Sequence, residues 1–188
     1  MRVDMDVWCA IRTYPKHAIE LGNPIPQEPV FFLKPSSSIT EFGQIDTCDG
    51  DVHHEIELVL KIGEDGMPSH MALGLDLTKR SIQDRLKSNR LPWAEAKAFR
   101  GSAVIGEWIE YDSRAEYNLE VNGIEVQRGS VKEMRWNPKE LIAKLADWAP
   151  IAEGDLLFTG TPAGVGPLMA NDRLTASLYI ENQCIVSH

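Results

Sequence analysis

Cysteine is scarce in this chain. Three residues (Cys9, Cys48 and Cys184) are too few, too far apart and odd in number for a disulfide framework. Such sparse usage fits a reducing compartment, and a cytoplasmic location is expected. Long apolar runs are also missing: no stretch approaches the ~20 residues that a membrane helix needs. Asp4 and Asp6 stand where a signal peptide would require an apolar core. Positive charge is in deficit, with 19 Lys and Arg against 28 Asp and Glu and a formal net charge of −9. A nucleic-acid backbone or an anionic lipid surface would be repelled, so neither is expected as the main partner. No internal repeat or low-complexity tract is present. With 43% hydrophobic and 25% charged residues, the 188-residue chain has the composition of a globular protein, read as one domain over 1–188.

What is abundant is acid, and it is concentrated. Between Glu41 and Asp65 lie eight carboxylates (Glu41, Asp46, Asp49, Asp51, Glu55, Glu57, Glu64 and Asp65) and a single base, Lys61. A solvated loop and edge strand would explain them. Some of them holding a cation would explain them equally, and the local pattern bears on the choice.

A proline-rich passage from Gly22 to Pro29 cannot be helix interior and is expected to be an ordered loop. It feeds Val30-Phe31-Phe32-Leu33, read as a buried strand ended by Pro35. A second strand is predicted over His54 to Ile62. There the two-residue period sets Ile56, Leu58, Leu60 and Ile62 on one face and Glu55 with Glu57 on the other. Ala72 to Leu77 reads as another strand and Thr78 to Asn89 as a helix. Leu119 to Arg128 reads as a hairpin turning at Asn122-Gly123. Pro138 to Trp148 is the clearest helix, with Asn137 as cap, Glu140 completing a capping box, and Leu141, Leu145 and Trp148 as its buried stripe. From Asp155 onward, short strands alternate with Gly and Pro turns. Many short strands with few helices, and no regular strand–helix alternation, imply a mostly β fold, a roll or barrel.

Four patterns carry chemistry. In Glu55-Ile56-Glu57, carboxylates two apart on a strand face the same way and repel unless a cation lies between them. Asp76, flanked by Leu75 and Leu77, is an acid in an apolar segment, where an unpartnered charge is costly. It therefore needs either a base such as Arg80 or a metal, and three carboxylates without soft ligands would select Mg2+ or Mn2+. His53-His54 lacks zinc-type spacing. His17 and Glu20, three apart on a helical turn, form either a surface ion pair or a pair in which the carboxylate orients an imidazole base. Lys97 either snorkels from a helix end or stabilises a developing oxyanion. The segment Thr159-Gly160-Thr161-Pro162-Ala163-Gly164-Val165-Gly166-Pro167 is neither a P-loop nor a dinucleotide fingerprint, although its amides can bind a small carboxylate.

The order and wording of these pieces resemble the fumarylacetoacetate hydrolase family, particularly its short acylpyruvate hydrolase-like and diene-dioate isomerase-like members. The matching segments include Arg12-Thr13-Tyr14 through His17 and Glu20, Glu28 to Pro35, and Val52-His53-His54-Glu55-Ile56-Glu57-Leu58. They continue with Leu75-Asp76-Leu77-Thr78 plus Arg80 and Gln83, Pro92-Trp93 with Ala96 to Phe99, Val121-Asn122-Gly123, and Gly154-Asp155 with Thr159 to Pro167. The resemblance implies a β-roll with a few flanking helices, commonly a homodimer. It implies Mg2+ or Mn2+ on Glu55, Glu57 and Asp76, and catalytic roles for His17, Glu20 and Lys97. Contacts to a small 2-oxo acid would come from Arg80, Gln83, Lys34 and Thr161. The sequence departs from the family pattern at Thr13, Pro15 and Ser81, and it looks trimmed between Glu57 and Asp76 and over Gly101 to Asn118.

The expected activity is Mg2+-dependent hydrolysis of a C–C bond in an acylpyruvate, giving pyruvate and a carboxylate, with water activated by His17. The same metal site would also serve decarboxylation or tautomerisation of oxaloacetate, or isomerisation of an unsaturated 2-oxo diacid. A non-catalytic ligand-binding relative is the remaining alternative.

Overall fold

The acidic segment runs from an edge strand of one large sheet, through a small sheet, to the centre of the large one. The structure is a computed structural model describing residues 5–188 apart from 21, 23 and 25. Asp4 of the amino-terminal reading, and Asn23 and Ile25 of the proline-rich loop, lie outside the described residues. The described part of that loop forms neither helix nor strand.

In chain order the elements begin with β1 (Val7–Ile11), α1 (Pro15–Glu20), β2 (Val30–Lys34), β3 (Ile39–Glu41), β4 (Val52–His54), β5 (Ile56–Ile62), β6 (Pro68–Asp76) and β7 (Thr78–Lys79). Next come α2 (Arg80–Ser88), α3 (Ala94–Lys97), β8 (Ala103–Ile105), β9 (Ile109–Glu110), β10 (Glu116–Val121) and β11 (Ile124–Ser130). The chain ends with α4 (Pro138–Ala146), β12 (Leu156–Phe158), β13 (Gly166–Pro167), β14 (Leu174–Ile180) and β15 (Gln183–Ser187). The fold is mostly β, as its sequence implies.

An eight-stranded mixed sheet has the order β2-β1-β12-β5-β6-β8-β3, with β9 also paired to β6. The pairs β1–β12 and β3–β8 are parallel. A four-stranded sheet, β11-β10-β14-β15, covers one face, and the small sheet β13-β4-β7 closes one end. Alternation along β5 divides the core. Ile56, Leu58, Leu60 and Ile62 enter the main cluster with Leu73, Leu75, Tyr117, Leu119, Leu141 and Leu178. Val59, on the opposite face, joins Val7, Cys9, Ala72 and Phe158. Buried on both faces, β5 is the natural strand on which to fix a charged group. Apart from Lys61, its side chains are buried away from solvent.

The hairpin forms where Asn122-Gly123 predicts it. Both residues have positive φ (54° and 78°), matching the right-handed strand twist. The helix cap is also as expected. Asn137 Oδ1 accepts from the N–H groups of Lys139 and Glu140 at 3.0 and 3.1 Å, while Glu140 Oε2 accepts from Asn137 N–H at 2.8 Å.

Three expectations need correction. Val30–Leu33 is an edge strand, not a buried one: Val30 and Leu33 are 45% and 47% exposed because β2 has a neighbour on one side alone. The strand predicted over His54 to Ile62 breaks at Glu55, where the chain passes from the small sheet into the large one. Trp148 lies beyond the end of α4 and is 62% exposed, its ring packed edge-on against Trp8 at a centroid distance of 5.5 Å.

Candidate active site

The break at Glu55 is what assembles the site. Glu55 leaves β4 and Glu57 sits on β5. Asp76 ends β6, whose backbone N–H donates to Glu55 O at 2.9 Å and so brings the third carboxylate beside the first. Glu57 is paired in register with Gly74, where a Cβ would come within 2.5 to 2.9 Å of Val59, Val104 and Phe158. The three carboxylates are buried, and each offers an oxygen within 4.8 Å of the others.

Cations surround this cluster. Lys97, at the end of α3, donates to Glu55 Oε2 at 2.8 Å and to Asp76 Oδ2 at 2.6 Å. Arg80 donates to Glu55 Oε1 at 2.6 Å and to Gln83 Oε1 at 2.7 Å. Lys34 Nζ lies 2.7 Å from Asp76 Oδ1 and donates to Ser102 O at 2.8 Å. Gly160 N–H donates to Glu57 Oε2 at 2.7 Å. Gly160 has φ of +94°, and a Cβ there would meet Thr13 Oγ1 at 2.8 Å, so only glycine brings this amide so close.

The electrostatic consequences differ by residue. Burial pushes Glu55 up, but Lys97 and Arg80 outweigh it and hold the carboxyl at about 2. Glu57 goes the other way: burial, then Asp76 and Glu55, raise it well above the ordinary range. Burial opposes the charge on Lys97, yet Asp76 and Glu55 keep its ammonium firmly protonated.

The cluster fits a divalent cation on two observations. The three carboxylates present buried oxygens within 4.8 Å of one another, and Glu57 is repelled by both of its carboxylate neighbours. An all-oxygen donor set of this kind suits Mg2+ or Mn2+. The histidines of His53-His54 stay out of it. His54 Nδ1 bonds Gln127 Oε1 at 2.8 Å, and burial lowers both imidazoles.

His17 and Glu20 share α1, with Nδ1 and Oε2 3.1 Å apart. Glu20 also accepts from Gly164 N–H at 3.0 and 3.2 Å, which ties the helix to the Thr159–Pro167 segment. A Cβ on Gly164 would lie 1.9 Å from Val126 O, so that segment passes the hairpin only as glycine. Tyr14, just before α1, is hydrogen-bonded to the Tyr117 hydroxyl at 2.7 Å, anchoring the helix on the core.

One cavity is lined by His17, Glu55, Glu57, Asp76, Arg80, Gln83, Lys97 and Thr161. Of the residues singled out from sequence, Glu20 reaches it through His17. Lys34 is fully buried on the other side of Asp76 and is not part of the cavity wall. The Thr161 hydroxyl is spent on Ile56 O at 2.9 Å and on Gln127 Nε2 at 2.8 Å.

Sequence reasoning passed over four participants. Arg12, Lys87 and Trp93 line the same cavity. Gln127, on β11, donates to Thr161 Oγ1 and Pro162 O and accepts from Ile56 N–H, so one amide braces the carboxylate-bearing strand against the loop. A polar residue among the alternating positions of a hairpin was its sole local signal.

A mostly β roll with a buried carboxylate trio, a lysine locked between two of them and a histidine–glutamate pair at the rim defines a class. This chain belongs to the fumarylacetoacetate hydrolase family, with residues 6–185 matching the fumarylacetoacetate (FAA) hydrolase C-terminal model. It is 35% identical to the oxaloacetate tautomerase YcgM of Escherichia coli, over 91% of this chain and 87% of that protein. Among solved structures, a fumarylacetoacetate isomerase/hydrolase candidate from Oleispira antarctica superposes with a TM-score of 0.93 at 37% identity, covering 100% of this chain and 92% of the other. Fumarylpyruvate hydrolase from Pseudomonas aeruginosa, crystallised with Mn2+ and pyruvate, superposes with a TM-score of 0.85 at 31% identity, covering 92% and 84%. Among the described residues, no helix is long and apolar enough to cross a membrane.

Proposed function

We propose that the chain is a divalent-metal-dependent enzyme of small 2-oxo acids, and that its reaction is the keto–enol tautomerisation of oxaloacetate. The oxaloacetate tautomerase relative favours this reaction over the acylpyruvate hydrolysis expected first from the sequence. The observation that carries it is the convergence of three buried carboxylates, a protonated lysine and an oriented histidine on one cavity.

Glu55, Glu57 and Asp76 would hold the cation, Mg2+ or Mn2+, which when bound supplies Lewis acidity to the 2-oxo group. Lys97 keeps its charge through Glu55 and Asp76 and stabilises negative charge growing on the 2-oxygen. With its Nδ1–H turned to Glu20, His17 is left with Nε2 as its basic nitrogen, which takes the proton from C3. The 2-oxygen takes its proton from water, His17 passes the C3 proton to the hydroxide so formed, and the reverse direction follows the same path. Arg80 and Gln83 position the substrate from the cavity wall. Lys34 acts from behind Asp76 as a counter-charge. Thr161 contributes shape, its hydroxyl being already used. A homodimer belongs to the same reading, and light scattering in solution checks it.

The test is the ultraviolet absorbance of enol oxaloacetate mixed with Mn2+-loaded protein, against Mn2+ alone. Faster loss of the enol is expected, and a decay equal to the protein-free control contradicts the reading.

A second reading, hydrolysis of an acylpyruvate, draws on the same His17–Glu20 pair, which can activate water, and on the likeness to fumarylpyruvate hydrolase. Pyruvate release from an acylpyruvate, outpacing enol loss from oxaloacetate, would favour it.

A further inference from the structure

The carboxylate cluster accounts for one end of a bound 2-oxo acid. A second set of contacts leads away from it: Glu55 to Arg80, Arg80 to Gln83, and Gln83 Oε1 to Lys87 Nζ at 3.0 Å. Lys87, on the last turn of α2, lines the cavity with its ammonium 5.3 Å from the Trp93 ring centroid. Its hydrogen bond goes to a neutral amide. Among the described residues no carboxylate lies within 4.0 Å of it. Burial and the nearby Arg80 both work against its charge. Half-buried, close to another cation and facing a cavity, it is a group that an anion would relieve.

The charge of the wall points the same way. Arg12, Arg80, Lys87 and Lys97 line the cavity against the carboxylates of Glu55, Glu57 and Asp76. With a divalent cation present the lining carries a surplus of three positive charges. A dianionic 2-oxo acid balances more of that charge than a monoanion does. Lys97 and Arg80 are already committed to Glu55 and Asp76.

We propose that Lys87 is a specificity-determining residue that binds the second carboxylate of a dianionic 2-oxo acid, so that the site prefers diacids to monoacids. This rests on the 2-oxo acid reading above and deepens it, by giving the substrate's second charge a named partner. Gln83 is the positioning residue: bridging Arg80 and Lys87, its amide oxygen holds the ammonium in place.

The test is calorimetry on Mn2+-loaded protein with two ligands that need no turnover, pyruvate and difluoro-oxaloacetate, alongside oxaloacetate kinetics. Loss of a charge-assisted hydrogen bond in Lys87→Met should weaken difluoro-oxaloacetate binding about 10- to 100-fold and raise the KM for oxaloacetate in parallel. Pyruvate affinity should stay within about twofold, and Lys87→Arg should recover most of the loss. Equal weakening of both ligands in Lys87→Met, or of neither, overturns the proposal. If oxaloacetate is not tautomerised but the diacid preference still depends on Lys87, the reaction fails and the subsite stands. If tautomerisation proceeds with a KM indifferent to Lys87, the subsite fails and the reaction stands.

Discussion

The two ends of the cavity are built by opposite means. The carboxylate–lysine end rests on β5, β6 and the end of α3. The side chains of Glu55, Asp76, Lys34 and Lys97 are at most 8% exposed. Its charges are fixed before any ligand arrives, in surroundings where their fields act strongly. The His17–Glu20 end hangs on a six-residue helix: the His17 side chain is 9% exposed, and its partner Glu20 is 36% exposed and tied back by one loop amide. The difference separates two tasks. Holding a cation and polarising a ketone require immobile charge, whereas exchanging a proton requires access to water. Changes at the first end should therefore cost binding and stability together, and changes at the second should cost chiefly rate.

Asp76→Ala attacks the first end hardest. It leaves Lys34 and Lys97 buried with fewer counter-charges, so chemical denaturation should show a loss of about 3–5 kcal/mol, and Mn2+ binding should vanish. His17→Ala attacks the second end. The enol assay should show a rate loss of about 10^2- to 10^4-fold, while Mn2+ affinity is retained and the stability loss, about 1–2 kcal/mol, stays below that of Asp76→Ala. A His17 variant that lost its metal would break the comparison.

Gln127→Leu should be intermediate. Removing the amide strands the Ile56 N–H and His54 Nδ1 inside the protein, at about 1–3 kcal/mol in a denaturant titration. The smallest effect belongs to a surface pair. Arg114, through its hydrogen bonds, holds Asp112 down at about 2. A depressed carboxyl stabilises the fold above its unfolded pKa and loses that contribution as pH falls towards about 2. Asp112→Asn should therefore flatten a small acid-side slope of the melting temperature, and added salt should erase it. The Asp76 effect should persist in salt.

The same contrast explains what could be read from sequence. Glu55, Glu57 and Asp76 were legible because a two-residue period and an apolar flank are local patterns, and His17 with Glu20 because one helical turn brings them together. Lys97 was identifiable by family resemblance, but its bonds to Glu55 and Asp76 join residues 42 and 21 positions away. For that reason Gln127 escaped assignment, and Lys34, expected to touch the substrate, was not matched to its partner Asp76. Their partners lie 34 to 73 positions off for Gln127 and up to 68 for Lys34, and no spacing rule spans such distances. The parallel pairing of β1 with β12 was equally out of reach, since it closes almost the whole chain. Trp148 was misread because the helical period continues on paper past Ala146, where the helix stops.

The claim on which the rest depends is that the carboxylate trio holds a divalent cation. A calorimetric titration of chelator-treated protein with Mn2+, beside the same titration of Glu57→Ala, tests it directly. The account predicts a single saturable site in the wild-type chain and none in the variant. Equal binding by both proteins, or none by either, would contradict it.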